Sequence, residues 1–432
     1  MKVVTLGNMA NDGLATTLAL RKVNVDAHIY VNYIDFACAH PEWEYGDFGR
    51  NMSFNGKENE VDPYNLANSI IEDTLVRPNW IRTLPLARLS YLMLDFTTSD
   101  GSNIGTASIH HQTVDYVYSE SISTPQMMFT PTIVYDAVKN VIKKFDVAHA
   151  HIPYSTFLQY MKIPYIIYEA GWIRGIDAMK NPYTNYLEQS YEISNKIIYT
   201  NPDMIHIINK YPKIKDKAIF IPFAIDTQHY KPQNVVDIRQ QIASNEDEFV
   251  ILGMARQMKG LKGNPKMLSA FIRFNKKHPN SRLVLSRWGE RDDIELMENT
   301  VKQMNLEDKV TWTQFLPKQK LIYLYNAVDM ACDQFEIGCW GTAYPEAMSS
   351  GCPTLVYYDE KDIDREFTSR PPIRSVKSAT EIYEEMEKIY SNTNIDYLKY
   401  ECREWVEETH GMKDVGERHK AVCEEVLADT HL

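Results

Sequence analysis

The sequence predicts an α/β protein built as two Rossmann-like domains facing each other across a cleft. Three observations carry that expectation. The second half alternates short apolar runs rich in β-formers with amphipathic helical segments, the pattern of a parallel sheet covered on both faces. The first half repeats the pattern around one long interruption. At 432 residues the chain is longer than a single core organises, so two domains of roughly 200 residues each are expected.

In the first half, "KVVTL" reads as a strand, about Gly13 to Lys22 as a helix, and "DAHIYV" as the next strand. From about residue 39 to 128 the chain is irregular and aromatic, with Trp43, Tyr45, Phe48, Trp80 and Tyr91. Segments this long usually carry function or small elements of their own, and this one is read as an insertion shaping one wall of the cleft; its rings suit either stacking on a ligand or core packing. "YDAVKNVIKKF", "VAHAH", "IPYIIY", a helix around Thr184 to Lys196, "IIYT" and "AIFIPF" then complete the first sheet. "IPFAIDTQHYKP" ends it, placing the domains at 1–225 and 226–432, the C-terminal helices included in the second. The second sheet draws on "FVILGMA", "RLVLS", "KVTWT", "VDMAC" and "PTLVYY". Between them, Ile294, Met297, Val301 and Met304 recur at helical spacing. Ser378 and Glu381 form a capping-box signature ahead of Ile382, Met386 and Ile389.

The formal charge of -12 argues against nucleic-acid partners and against firm attachment to anionic lipid, leaving at most peripheral membrane contact. Six scattered cysteines without a C-x-x-C pair read as reduced, buried thiols in the cytoplasm. The start of the chain shows no signal-peptide h-region, and no run approaches a membrane span.

Open α/β sheets bind ligands beyond the carboxyl ends of their strands. In the second domain the first such loop is "RQMKGLKGNPKM", where Arg256, Lys259 and Lys262 are interleaved with Gly260 and Gly263. Cations on a glycine-containing turn suit a diphosphate; a solvated basic loop is the other reading. The fourth loop is "FEIGCWGTAYPEAM". Gly338 and Gly341 leave the backbone open to a ligand, Thr342 is the expected N-cap, Ala343 to Ser350 the helix and Gly351 its C-terminal cap. Glu346 suits two vicinal hydroxyls, as on a ribose, or merely complements the helix dipole.

Together, "RQMKGLKGNPKMLSAF" and "GCWGTAYPEAMSSGCPTLVYYD" resemble the retaining, nucleotide-sugar-dependent glycosyltransferases of the GT-B fold, family-four type, also described as glycosyl transferases group 1. Lys262-Gly263, Glu346-Ala347-Met348 and Gly351-Cys352-Pro353 match that family's signature. The resemblance is strong from about Ile221 to Asp359 and weak in the first domain. It implies transfer of a hexosyl or related sugar from a nucleotide-diphosphate sugar, as co-substrate, with no cofactor or metal, to a glycan, lipid-linked, protein or small-molecule acceptor. Arg256 and Lys262 would act on the diphosphate leaving group, Glu346 on the ribose, the backbone at Gly341 and Thr342 on phosphates or sugar, and the Phe315–Pro317 loop, centred on Leu316, on the base. The family's first glutamate is replaced by Gly338; Glu336 lies two residues earlier. That departure keeps open a noncatalytic nucleotide-sugar-binding subunit of the same fold.

In the first domain, Gly7 to Gly13 resembles the family's loop near the reacting centre but is not a G-x-G-x-x-G fingerprint, which counts against a dinucleotide oxidoreductase. "DVAHAH" resembles its strand ending in His-x-His, with His151 the cleft candidate and a core histidine the alternative. Ala170 stands where relatives have histidine, leaving Glu169 and Arg174 as candidate substrate contacts. Asp362-Ile363-Asp364 in "DEKDIDRE" reads as a solvated charged turn rather than a metal site, and His110-His111 has no partner at zinc spacing.

Overall fold

The computed structural model describes residues 1–31, 37–50, 52, 75–84, 93–97, 103–110, 113–114, 131–152, 154–176 and 182–430. Tyr91 and His111 lie outside these residues. The strands are β1 (Lys2–Leu6), β2 (Asp26–Val31), β3 (Ile81–Thr83), β4 (Met93–Thr97), β5 (Asn103–His110), β6 (Thr113–Val114), β7 (Val147–His151), β8 (Tyr165–Glu169), β9 (Lys196–Tyr199), β10 (Ala218–Phe220), β11 (Phe249–Gly253), β12 (Ser281–Ser286), β13 (Val310–Thr313), β14 (Met330–Cys332) and β15 (Thr354–Leu355).

Two sheets of parallel strands result. The first has the order β10-β9-β8-β7-β1-β2-β3 and the second β13-β12-β11-β14-β15. Each reverses its winding direction beside its first strand, between β1 and β7 and between β11 and β14, which opens a crevice at the carboxyl edge. Within the insertion, β4, β5 and β6 form a small antiparallel sheet.

The apolar periodicity explains the layering. Met267, Leu268, Phe271 and Phe274 of the helix Asn264–Lys277 are fully buried, as are Met297 and Val301 of Arg291–Gln303. The last sheet strand is shorter than expected, Thr354–Leu355, and beyond it the Tyr357 amide donates to the Gln334 carbonyl at 2.8 Å. The Ser378–Glu381 capping box forms.

The strands of the two sheets fall on either side of residue 225, but the last helix does not stay with the second domain. Met412–Thr430 crosses back and packs on Asp12–Lys22, placing Val415, Val422 and Val426 in one cluster with Ala19, Leu20 and Val147. Gly416 permits this: a β-carbon there would stand 2.3 Å from the Ala19 carbonyl oxygen. The two crossings run side by side, with the Ile225 amide donating to the His410 carbonyl at 2.8 Å.

The insertion ties the domains together. Arg50 pairs with Asp237 at 2.6 Å, the Phe48 amide donates to Gln319 Oε1 at 2.8 Å, and Met52 enters the second domain's core. Trp43 is 1% exposed and stacks on Phe315 with ring centroids 4.4 Å apart. It is therefore core packing, not an open sugar platform. Asp362 also departs from expectation: it is buried, pairing with His206 of the first domain at 2.8 Å and with Arg365. Asp364 is the exposed member, bound to Arg370. The described residues contain no cluster of metal-ligating groups and no helix long and apolar enough to cross a membrane.

Candidate functional site

The site assembles at the switch point of the second sheet. After β11 the chain makes one helical turn, Lys259–Lys262, broken by Gly263 in the left-handed region at φ +69°. Lys262 thus ends a short helix rather than opening the long one. The turn is fastened to the neighbouring strand's loop: the Phe335 amide donates to the Lys262 carbonyl at 2.9 Å, and Lys266 Nζ to the Phe335 carbonyl at 3.0 Å. On the other side, the Gln257 amide donates to the Trp288 carbonyl at 2.7 Å. Gly289 makes that approach feasible, since a β-carbon there would stand 2.1 Å from the Gln257 carbonyl oxygen.

This fastening brings Arg256 and Lys262 to one place. Arg256 lies over the Trp288 ring, 5.9 Å from its centroid. Lys262 Nζ donates to Gln334 Oε1. Neither forms an ion pair among the described residues. Burial lowers the Lys262 pKa; Asp333 opposes that shift, and Arg256 adds to it. An anion entering here would stabilise both cations and be stabilised by them.

In the opposing loop, Gly341 has open space where a side chain would be. Thr342 already has helical torsions (φ -62°, ψ -30°) and makes no side-chain cap, so the expected N-cap bond is absent. The helix spans Ala343–Ser349, and Gly351, at φ +80°, closes it with its amide donating to the Met348 carbonyl. Gly338 is also left-handed, at φ +85°, with Tyr357 against the place its side chain would take. Glu336 does not bulge into that place; it pairs with Lys266 at 2.8 Å beside Gly263.

Glu346 is 3% exposed, and Lys318 Nζ donates to both its oxygens, at 2.5 and 2.6 Å. Burial pushes the Lys318 pKa down, but Glu346 and Glu44 outweigh it and the net shift is upward. Asp12 and Glu44 of the first domain face the same group. Burial drives both carboxyls up, Glu44 to about 7. Glu346, Asp12, Glu44, Asp226, Tyr230 and Thr342 line a narrow cavity between the domains. Lys318, one residue beyond the loop expected to meet the base, was missed because a lysine after proline looks like any exposed helix start. Leu316 is half-buried beside Phe315, whose ring packs between Trp43 and Trp288.

The first domain's candidates divide. Gly7 has φ +86°, but the Tyr154 ring and His151 close on it, 2.9 and 3.0 Å from an added β-carbon. His151 is 2% exposed, stacks near Tyr168, and is held down to about 3 by burial. It is a neutral core histidine rather than the substrate contact in the cleft that its place at the strand end suggested. Glu169 is fully buried, accepting from Tyr191 and from the Gly171 amide. It brackets a turn from inside the first domain, with no surface left open to the cleft. Arg174, on that turn, does reach the second domain: Nη2 lies 3.3 Å from Cys339 Sγ.

With this geometry in view, comparison with known proteins gives consistent relatives. Residues 235–364 match the family model described as Glycosyl transferases group 1. Mannosylfructose-phosphate synthase of Agrobacterium fabrum is 27% identical over 176 residues, 38% of each chain. The chain thus spans well under half the length of that relative. Among solved structures, Anabaena HepE in complex with UDP and glucose superposes with a TM-score of 0.65 at 11% identity, covering 98% of this chain and 99% of that one. Sucrose-phosphate synthase of Thermosynechococcus elongatus gives 0.63 at 14% identity, covering 99% and 100%.

Proposed function

We propose, for a chain whose residues 235–364 belong to the glycosyl transferases group 1 family and whose two domains have the GT-B fold, that the cleft transfers a sugar from a nucleotide-diphosphate sugar to an acceptor with retention of configuration. The observation that carries this reading is the meeting of Arg256 and Lys262, neither in a direct ion pair among the described residues, at the second sheet's switch point opposite the open backbone of Gly341. These two cations offset the charge that grows on the diphosphate as the glycosidic bond breaks, in a site where little water competes. Glu346, oriented by Lys318, receives the ribose hydroxyls, and the backbone near Leu316 meets the base. No metal enters this scheme. Cys332, Cys339, Cys352, Cys402 and Cys423 are buried thiols outside any disulfide among the described residues, which supports a reducing, cytoplasmic setting.

Donor turnover at saturating donor tests the reading. Lys262→Ala and Arg256→Ala should each lower kcat by about 10²–10³; near-native rates in both would overturn it. Gly338, with Glu336 tied to Lys266, favours a second reading, a noncatalytic nucleotide-sugar-binding subunit. Tight donor binding with neither transfer nor hydrolysis across an acceptor panel would establish that alternative.

A further inference from the structure

The cations at the switch point do not all come from the second domain. Arg174 belongs to the first, on the turn after β8. Its path across the cleft is built from within: Glu169 accepts from the Gly171 amide, and Gly171 takes φ +137°. A β-carbon at Gly171 would stand 2.5 Å from Arg174 Nη1, so the guanidinium folds back only over glycine. Asp203 then grips Nε and Nη2 at 2.7 and 2.6 Å. Nη2 also reaches Cys339 Sγ at 3.3 Å, while Nη1 donates no hydrogen bond among the described residues. On the far side of Cys339, its carbonyl accepts from Gln334, whose Oε1 accepts from Lys262 Nζ. A continuous chain of contacts thus joins Arg174 to Lys262 through the glycine-bearing loop. The two cations also sense each other, Arg174 being among the charges that disfavour the Lys262 ammonium.

We propose that Arg174 is a third phosphate-binding cation, delivered across the cleft by the first domain, with Asp203 as the residue that positions it and tempers its charge. This deepens the donor reading of the cleft, which it presupposes. A diphosphate held by Lys262 and Arg256 from one domain and Arg174 from the other is bound fully only when the domains are together. Leaving-group binding is thereby coupled to cleft closure. Guanidinium geometry matters here, because a planar fork can keep Asp203 on one edge and offer Nη1 to a phosphate oxygen on the other.

The test measures binding of UDP and of inorganic pyrophosphate by calorimetry in wild type, Arg256→Ala, Arg174→Ala, Arg174→Lys and Asp203→Asn. Arg174→Ala should weaken both probes about tenfold or more, with Arg174→Lys intermediate. Asp203→Asn keeps the side chain's shape but removes the counter-charge, and should tighten pyrophosphate binding with a steeper salt dependence. A merely structural Arg174–Asp203 pair predicts the opposite sign, weaker binding in Asp203→Asn. Binding in Arg174→Ala equal to wild type, with Arg256→Ala impaired, would overturn the proposal while leaving the donor reading intact. If wild type bound neither probe, the donor reading itself would fall, and this proposal with it.

Discussion

The two switch-point loops occupy equivalent places in the two sheets, yet one is filled and the other open. After β1, Gly7 is covered by Tyr154 and His151, and Gly13 lies 2.3 Å from the Gly7 carbonyl oxygen by the same β-carbon measure. Asn8 braces the turn from within, donating to Asn11 and Ala39 and accepting from the Leu14 amide, each at 2.7 Å. After β11 and β14, by contrast, Gly260 and Gly341 meet nothing, and Arg256 and Lys262 have no ion-pair partners among the described residues. A glycine after a strand therefore does not identify a ligand site. What identifies it is cationic groups left without a direct ion pair among the described residues, beside backbone that remains open.

Glu346 lies between these extremes, and breaking its pair should give the largest effect. Lys318→Met leaves the buried Glu346 carboxylate without its cation, beside the Asp12 and Glu44 carboxyls, and should cost about 3–5 kcal/mol in denaturant unfolding. A cost below about 1 kcal/mol would mean that the cavity admits enough water to solvate them. Next, Gly7→Val forces a branched side chain into a left-handed torsion against Tyr154 and should cost about 2–4 kcal/mol. An unchanged melting temperature would mean that the loop is as open as its counterpart.

The pH dependence of stability sharpens the comparison further. Burial holds His149 at about 4, His151 at about 3 and His410 at about 4. Unfolding lets them take up protons below the ordinary histidine value, so their contribution is complete above about pH 6.5 and is lost as pH falls toward 4 and 3. Glu44 acts in the other direction. Its carboxyl is raised to about 7 by burial, so its contribution is present below about pH 4.5 and is lost as pH rises through 7. Glu44→Gln should remove that loss, leaving stability that rises more steeply between pH 4.5 and 7 than in wild type. Parallel curves for the two proteins would show that Glu44 keeps its charge. The smallest stability effect is expected for Gly341→Ala, within about 0.5 kcal/mol, together with weaker UDP binding; a large loss of stability would place that glycine with Gly7 instead.

Much of this was legible along the chain. Val250, Ile251 and Leu252, or Val147 to His151, announce buried strands by composition, and the basic turn from Arg256 to Lys262 lies beyond the strand that the apolar run predicts. The histidines were ambiguous because a strand-end histidine looks the same whether it faces a cleft or, like His151, a tyrosine. The aromatic insertion was ambiguous for the same reason, until Trp43 stacked on Phe315.

The sequence by itself determined the two parallel sheets, their order of elements and the position of the basic and glycine-bearing loops, because periodicity and turn chemistry act between near neighbours. Only the tertiary structure decided which charges meet. Lys318 reaches Glu346 across 28 residues of chain, and Arg174 reaches Cys339 across 165. The crossing of Met412–Thr430 onto the first domain is of the same kind. Pairings of this sort depend on where whole domains lie against one another, and burial then strengthens each charge's hold on its partner in a way that no local pattern records.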